Sequence, residues 1–499
     1  MMWWWLFLIL SYIVAVVLFH VYIRYLSSRR INFNSKSPPV IIEPWYCPFL
    51  GPVLSFLNLE ASINKWRAKY GANFTLLIFG KYVTFVTKYV DIKKYYHGTE
   101  EMLSLTKAAQ ILLGSAYPEN QYMVEYSAVP YLQRILTPRY LRHMALNFEI
   151  VADDYFNTKN GQFWAENGDE TVVDLFEFMY RLIIRSNSIN FTSFRVYKNH
   201  VEELIRLFTI LDVEKSIANP ITYGLKKRLG MKSDRDIAWE QWTQLLMPDI
   251  ERCLKMIENN IEPVDGDIIY ETIKYAKEEL EKRGQIFTPR LVAFLTFSTF
   301  VPAQVNTYTT AAFMILEWIR HEHDEIGQRM KEEIDHAPPK GEITIEYLNS
   351  MEYVQACIYE VIRIRTDSPV SFRLAGQPVP LSNEKFIPEG NIVASPLTRA
   401  EDLYLNPEKF DPDRHLTPRE EMKADPYRAL PFGRGRHPCT GERYVKMQIK
   451  MFLIQLSKMC KMELMPESNN FEATINKKQL AGLSRPTKPV FIKISKREL

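Results

Sequence analysis

The sequence is poor in cysteine and has no paired-cysteine motif. Only five cysteines occur in 499 residues, and no two of them are separated by just two residues. A disulfide-stapled secreted domain is therefore excluded, and a structural zinc site is disfavoured. We expect a reducing compartment in which at most one or two thiols carry chemistry. The cysteines are Cys47, Cys253, Cys357, Cys439 and Cys460.

An excess of charge of one sign is also missing. The chain has 62 Lys and Arg against 59 Asp and Glu, a net charge of +3, which gives no argument for a nucleic-acid partner. With 46% hydrophobic and 24% charged residues, the composition is that of a globular protein rather than a disordered chain. Residues 51–499 contain no repeat, low-complexity tract or linker, so we expect one large domain that encloses a ligand.

Charged residues are absent from a long stretch at the amino end. Trp3 to Ile23 contains no Asp, Glu, Lys or Arg and matches the roughly 20 residues that a helix needs to cross a bilayer. Arg24, Arg29 and Arg30 follow, so the positive-inside bias places the rest of the chain in the cytosol. Length and charge flanks disfavour a cleaved signal peptide. Residues 1–30 are predicted to be a transmembrane signal-anchor with a basic stop.

Prolines mark the segment that follows. Residues 31–50 contain Pro38, Pro39, Pro44 and Pro48, and proline cannot continue a helix. We predict a proline-rich hinge over residues 31–50, between the anchor and the body.

Hydrophobic periodicity predicts a mainly α body with a small β portion. Residues 71–88 are rich in β-branched and aromatic side chains and predict strands. Residues 376–396 predict two strands around a Pro-Glu-Gly turn. Helical spacing predicts helices over 238–283, over 350–365 and from Glu442 onward.

A second charge-free stretch, residues 291–316, has the length of a membrane span but a different composition. It carries several hydroxyl and amide side chains, with Pro302 near its middle. This pattern predicts a buried core helix that lines a cavity. Because Pro302 has no N–H, we expect the helix to open locally near Ser298.

The loop PFGRGRHPCTGERY, residues 431–444, concentrates the features of a reactive site. Its cysteine lies just ahead of a predicted helix, where free N–H groups and the helix dipole favour a thiolate. Such a cysteine is predicted to be a nucleophile or a metal ligand, and a buried structural cysteine is the alternative. The loop's turn-forming and basic residues around Cys439 are Gly433, Gly435, Gly441, Arg434, Arg436 and His437.

This segment resembles the haem-ligand loop of the cytochrome P450 family, Phe-x-x-Gly-x-Arg-x-Cys-x-Gly. The matching residues are Phe432, Gly435, Cys439 and Gly441, with His437 at the arginine position, as in the sterol 14α-demethylase group. The resemblance implies that the Cys439 thiolate is the axial ligand of a haem b iron and that His437 contacts a haem propionate. It likewise implies cofactor contacts from Phe432 and Gly435.

Three further segments resemble the family in order and spacing. Glu360 and Arg363 match its Glu-x-x-Arg pair, which shares one helix face, and Arg414 matches the arginine that completes the charge network. Arg373 occupies the strand position that contacts a propionate. The family's Trp-x-x-x-Arg is missing, and Arg134 and Arg139 are the candidates to replace its arginine.

The distal stretch departs from the common family pattern. Val305 cannot relay a proton, and Asn306 stands where most relatives have threonine, followed by Thr307. We take Asn306 and Thr307 as candidate catalytic residues. The stretch is similar to the cholesterol 7α-hydroxylase and prostacyclin synthase group, which includes both an oxygenase and an isomerase.

The resemblance implies a mainly α cytochrome P450 fold in which residues 51–499 form a haem-binding catalytic domain. The implied activity is insertion of one oxygen of O2 into a lipophilic, sterol-like or other lipid substrate. Electrons are expected from NADPH through a flavoprotein, NADPH–cytochrome P450 reductase. Membrane lipid is an expected contact, nucleic acid is not, and the expected location is the endoplasmic reticulum membrane, single-pass, with a cytosolic catalytic domain.

Two other functions remain open at this point. One is a haem-thiolate isomerase or dehydratase that acts on a peroxide without a reductase, and the other is a non-catalytic membrane haem protein. Five Lys or Arg residues between Arg434 and Lys450, against Glu442 alone, are suited to steer an acidic redox partner, although a solvated face gives the same pattern.

Overall fold

A computed structural model provides the structure of the protein. It describes residues 2–30, 36–42, 59–78, 80–113, 122, 128–156, 162–211, 231–263, 267–366, 371–395, 404–424, 427, 430–475 and 483–497.

Helices form most of the described chain, which confirms the mainly α prediction. In chain order they are α1 (Met2–Arg30), α2 (Leu59–Tyr70), α3 (Tyr89–His97), α4 (Leu105–Leu113), α5 (Ala128–Ile135), α6 (Pro138–Phe156), α7 (Gln162–Asn167), α8 (Leu175–Phe191), α9 (Phe194–Leu211), α10 (Asp234–Glu258), α11 (Ile268–Glu281), α12 (Pro289–Phe300), α13 (Val305–Arg320), α14 (Glu325–Asp335), α15 (Ile345–Ser350), α16 (Glu352–Arg365), α17 (Glu421–Ala424) and α18 (Glu442–Met459). The strands are β1 (Val40–Ile41), β2 (Asn73–Ile78), β3 (Lys81–Val86), β4 (Leu103–Ser104), β5 (Glu170–Asp174), β6 (Ser371–Ala375), β7 (Val379–Pro380), β8 (Phe386–Ile387), β9 (Ile392–Ser395), β10 (Cys460–Leu464) and β11 (Phe491–Lys496).

The β portion consists of small sheets. The largest has the order β1-β2-β3-β9-β6-β4, and a second has the order β10-β11-β5. The strands predicted over 71–88 are β2 and β3, an antiparallel pair in which Phe74 lies opposite Phe85 with the two rings stacked. The strands predicted within 376–396 include β8 and β9, which pair with different neighbours. Strand β6, which lies between β9 and β4 in the larger sheet, carries the buried Arg373.

The charge-free stretch 291–316 lies in the core, as predicted, but as two helices. Helix α12 ends at Phe300 and α13 begins at Val305. Pro302 lies in the turn between them, because it lacks the N–H that a continuous helix would need. Helix α13 packs against α8, α16 and α18, so the break lies among the helices that carry the other candidate residues.

The other predicted helices are found with one division. Residues 350–365 and the segment from Glu442 form α16 and α18. Residues 238–283 are divided between α10 and α11, because α10 ends at Glu258 and Asn260 adopts a positive φ of 53°.

The predicted membrane anchor is not found. In the part of the chain that the structure describes, no helix combines the length and the apolar character needed to cross a bilayer. The predicted location, a single-pass protein of the endoplasmic reticulum membrane, is therefore wrong. Most of the predicted hinge, 31–50, lies outside the described residues.

Candidate active site

The cysteine loop docks on helix α3. The backbone N–H of Arg436 donates to the carbonyl oxygen of Tyr96 at 3.1 Å. Gly435 has a φ of +75°, and a Cβ there would collide with the same carbonyl oxygen. Only glycine satisfies both constraints, because an added side chain would be strained and would push the loop off α3. The loop closes on itself where the N–H of Cys439 donates to the carbonyl oxygen of Phe432 at 2.7 Å.

Cys439 differs from the other described cysteines. Cys253, Cys357 and Cys460 are buried, whereas Cys439 is exposed and free. The protein atoms around its sulfur desolvate the thiol and raise its pKa, although the backbone N–H groups of Gly441 and Glu442 act in the opposite direction. Coordination to a metal ion would add positive charge beside the sulfur and favour the thiolate that the sequence predicts.

Arg373 and His437 form a second part of the site. Arg373 is buried and donates to Ser371 Oγ at 3.2 Å and to the Phe372 carbonyl oxygen at 2.9 Å. The Nε2 atom of His437 is buried, makes no hydrogen bond and lies 3.4 Å from Glu100 Oε2. Burial lowers the pKa of His437, and the charge of Arg373 lowers it further.

The structure brings Glu360, Arg363 and Arg414 together in a buried charge network. Arg363 donates to both carboxylate oxygens of Glu360, each at 2.8 Å, and Arg414 Nε donates at 2.9 Å. His415 Nε2 lies 2.9 Å from Glu360 Oε2 and was missed by sequence reasoning, although it directly follows Arg414. Burial by itself would raise the pKa of Glu360, but hydrogen bonds and charge from Arg363 and His415 lower it to about 2.

Tyr359 connects this network to the cysteine loop. Its ring contacts both His415 and Phe432, with centroid distances of 5.9 Å in each case. Its hydroxyl donates to Glu442 Oε1 at 2.8 Å, and Lys446 Nζ donates to the same hydroxyl at 3.0 Å. Since Glu442 begins α18, Tyr359 joins the charge network, the loop and the helix after Cys439.

On the distal side, Asn306 is exposed one turn after the exposed Pro302, whereas Thr307 is buried. Asn306 Oδ1 accepts a hydrogen bond from the backbone N–H of Leu483 at 3.2 Å, which ties α13 to the segment before β11. The hydroxyl of Thr310 donates to the Asn306 carbonyl oxygen. Asn306 therefore holds a neighbouring segment, and one carbonyl oxygen at the break, that of Phe300, is bound by another residue, Gln304.

Of the two arginines considered for the missing motif, Arg134 is committed to other partners. It pairs with Glu271 at 3.3 Å and Glu278 at 2.8 Å, both on α11. Arg139 lies over the ring of Tyr140 at 5.9 Å. Arg134 thus has a structural role in binding α11. Whether Arg134 or Arg139 replaces the arginine of the missing motif remains a prediction.

Comparison with known proteins defines the class. The sequence model of the family described as Cytochrome P450 matches residues 42–494. The chain therefore belongs to the cytochrome P450 family and is a cytochrome P450 monooxygenase, an enzyme class whose members contain a haem iron.

Individual relatives are similar at a distance. Lanosterol 14-alpha demethylase of Bos taurus is 23% identical over 92% of this chain and 88% of its own. Cytochrome P450 3A29 of Sus scrofa is 30% identical over 45% of this chain and 41% of its own. The solved structure of retinoic acid bound cyanobacterial CYP120A1 has a TM-score of 0.69 at 19% identity, covers 92% of this chain and 99% of its own, and confirms the fold. The resemblance to sterol 14α-demethylases is confirmed by the first of these matches.

Proposed function

We propose that Cys439 is the axial ligand of a haem b iron in a monooxygenase that acts on a lipophilic substrate. When bound, a thiolate-ligated haem supplies the activation of O2. The observation that carries the proposal is the exposed free thiol of a glycine-turned loop, where two backbone N–H groups face the sulfur. The chain's own work is then to bind and orient the substrate and to control access of water.

The residues around the thiol fit a haem. Buried polar atoms are almost always hydrogen-bonded, so the His437 Nε2 atom without a hydrogen bond implies an absent partner. A propionate of the haem would provide that partner and would also meet the positive charge of Arg373. Glu360, Arg363 and Arg414 would fix the loop through Tyr359 and Phe432 rather than contact the cofactor.

A cavity of about 810 Å³ next to α13 is the candidate substrate site. Its volume lies within the range of small-molecule sites, about 300–1,000 Å³. Its lining is mixed: Ile205, Phe208 and Val305 form apolar walls, and polar or charged groups come from Asp174, Glu177, Arg181, Tyr308, Arg485 and Lys488. Val305 and Tyr308 belong to α13 and flank Asn306 in sequence. We place the lipophilic body of a sterol-like or other lipid substrate in this cavity.

Electrons would come from NADPH through a flavoprotein reductase. The basic face suggested by the sequence is smaller in the structure, because Lys450 is buried and Lys446 pairs with Glu442. Arg434, Arg436 and Arg443 remain exposed around the loop. Three arginines beside the haem ligand suit an acidic redox partner.

The substrate assignment is tested by titrating the purified haem protein with lanosterol and with retinoic acid while following the Soret absorption. We expect a saturable shift with at least one lipid. Ile205→Trp, which fills the cavity, should weaken that binding at least tenfold, whereas Ile286→Trp at a residue that is 92% exposed should not. Equal binding by both variants would contradict the cavity assignment.

The electron source is tested separately. NADPH-dependent O2 uptake should require the added flavoprotein reductase, and triple replacement of Arg434, Arg436 and Arg443 by glutamine should raise the reductase concentration for half-maximal uptake. If the triple variant shows unchanged O2 uptake at every reductase concentration, the three arginines do not take part in docking the reductase.

A further inference from the structure

A cluster of buried neutral side chains lies between the distal break and the helix that follows Cys439. We call it the amide cluster. Each member is at most 1% exposed, although all are polar. Burial of a polar group is costly unless it is hydrogen-bonded, so the arrangement of these bonds is informative. The members are Asn187, Asn190, Gln304, Tyr444 and Gln448.

One side of the amide cluster binds carbonyl oxygens at the break between α12 and α13. Gln304 Nε2 donates to the carbonyl oxygen of Phe300 at 2.8 Å. Asn187 Nδ2 donates to the carbonyl oxygen of Ala303 at 2.9 Å and to Gln304 Oε1 at 3.1 Å. The side chains of Asn187 and Gln304 thus replace bonds that a continuous helix would make within itself.

The other side of the amide cluster binds α18. Asn187 Oδ1 accepts from the hydroxyl of Tyr444 at 2.6 Å and from Gln448 Nε2 at 3.0 Å. Asn190 Nδ2 donates to the same Tyr444 hydroxyl at 3.1 Å. Tyr444 lies in the first turn of α18, five residues after Cys439. The Asn187 amide therefore uses two donor and two acceptor positions, which also fixes its orientation.

We propose that Asn187 is a positioning residue that fixes the distal break relative to the Cys439 helix. Asn187 thereby fixes the position of the candidate catalytic residue Asn306, which follows Gln304 by two residues. This inference rests on the proposed function for its catalytic meaning, but the mechanical link can be measured without turnover. A shorter or apolar side chain at position 187 would leave the Ala303 carbonyl oxygen and the Tyr444 hydroxyl without this partner.

The test compares two tyrosine variants. Tyr444→Phe removes one hydroxyl from the amide cluster, and Tyr131→Phe removes an equally buried hydroxyl that hydrogen-bonds Thr272 on α11. Deuterium exchange of the backbone amides in residues 301–308 is followed in the full-length haem protein. We expect at least tenfold faster exchange there in Tyr444→Phe, and no change there in Tyr131→Phe.

A second variant and a second readout complete the test. Asn187→Asp keeps the acceptor for Tyr444 but loses both donated bonds, so it should also accelerate exchange at 301–308 at least tenfold. The stretching band of carbon monoxide bound to the haem should broaden in Tyr444→Phe but not in Tyr131→Phe. Unchanged exchange at 301–308 in Tyr444→Phe, or equal acceleration in Tyr131→Phe, would overturn the inference. Loss of the thiolate spectrum in all proteins would instead refute the proposed function.

Discussion

Around the cysteine loop the buried polar groups are charged, whereas around the distal break they are neutral. Glu360 is bound by two arginines and a histidine on one side of the site. The break is bound by amides and a tyrosine on the other. Charged networks give strong but pH-dependent bonds, and neutral amides give weaker bonds that do not titrate. The comparison predicts that the two sides fail under different conditions.

The largest effect should come from opening the charge network. Arg414→Leu leaves Glu360 buried with one fewer cation, so we expect the free energy of unfolding to fall by about 3–5 kcal/mol, together with poor haem retention. Chemical denaturation measures the first and the Soret absorbance the second. Arg419→Met is the matched control, because Arg419 pairs with Asp411 and Glu421 at the surface and should cost less than about 1 kcal/mol. Equal losses in both variants would contradict this role.

The next effect is the pH dependence of that network. The folded-state pKa of Glu360 is about 2, against an ordinary value of 4.5. The contribution of Glu360 to the free energy of unfolding is therefore complete above pH 4.5 and is lost as the pH falls towards 2. The difference corresponds to about 3 kcal/mol. Denaturation at several pH values should show this slope in the wild type and a flatter one in Glu360→Gln. Identical slopes would exclude Glu360 as its source.

A smaller and pH-independent loss is expected at the amide cluster. Asn187→Ala should lower the free energy of unfolding by about 1–3 kcal/mol, because buried partners lose their bonds. Plotted against pH, the free energy of unfolding of this variant should run parallel to that of the wild type between pH 3 and 7. A loss that grew or shrank with pH would mean that a charged group depends on Asn187.

The smallest effect on stability is expected at Asn306. Asn306→Ala removes one accepted hydrogen bond from Leu483, worth about 1 kcal/mol. If the residue also acts in the reaction, the same variant should form less product per NADPH consumed, with the excess electrons appearing as peroxide. If the product yield stays unchanged while stability falls, Asn306 has only the structural role of linking α13 to Leu483.

The two sides also differ in how far sequence could predict them. The spacing of Glu360 and Arg363 places both on one helix face, and the structure has them bonded to each other and to Arg414. Asn187 was not predicted, because its partners on α13 and α18 are more than 100 residues away in sequence. A signal was present nonetheless: near its end α8 carries SNSIN, in which four of the five residues are uncharged and polar.

The surroundings of Cys439 also could not be predicted from the loop sequence. The helix dipole and the nearby arginines predict a thiolate there, and the structure adds desolvation of the thiol, which raises its pKa against the two N–H groups that face it. Burial likewise lowers the pKa of His437. Desolvation depends on the atoms that tertiary packing brings around a group, which the order of residues in a loop does not contain.

The most direct test of the account is the carbon monoxide difference spectrum of the reduced protein in wild type, Cys439→Ala and Cys460→Ala. Cys460 is a buried free cysteine outside the loop and serves as the control. We predict a thiolate-type Soret band in the wild type and in Cys460→Ala, and no such band in a folded Cys439→Ala protein, because Cys439 is the exposed free thiol among the described residues. A thiolate-type band that persists in Cys439→Ala would contradict the assignment of the haem ligand.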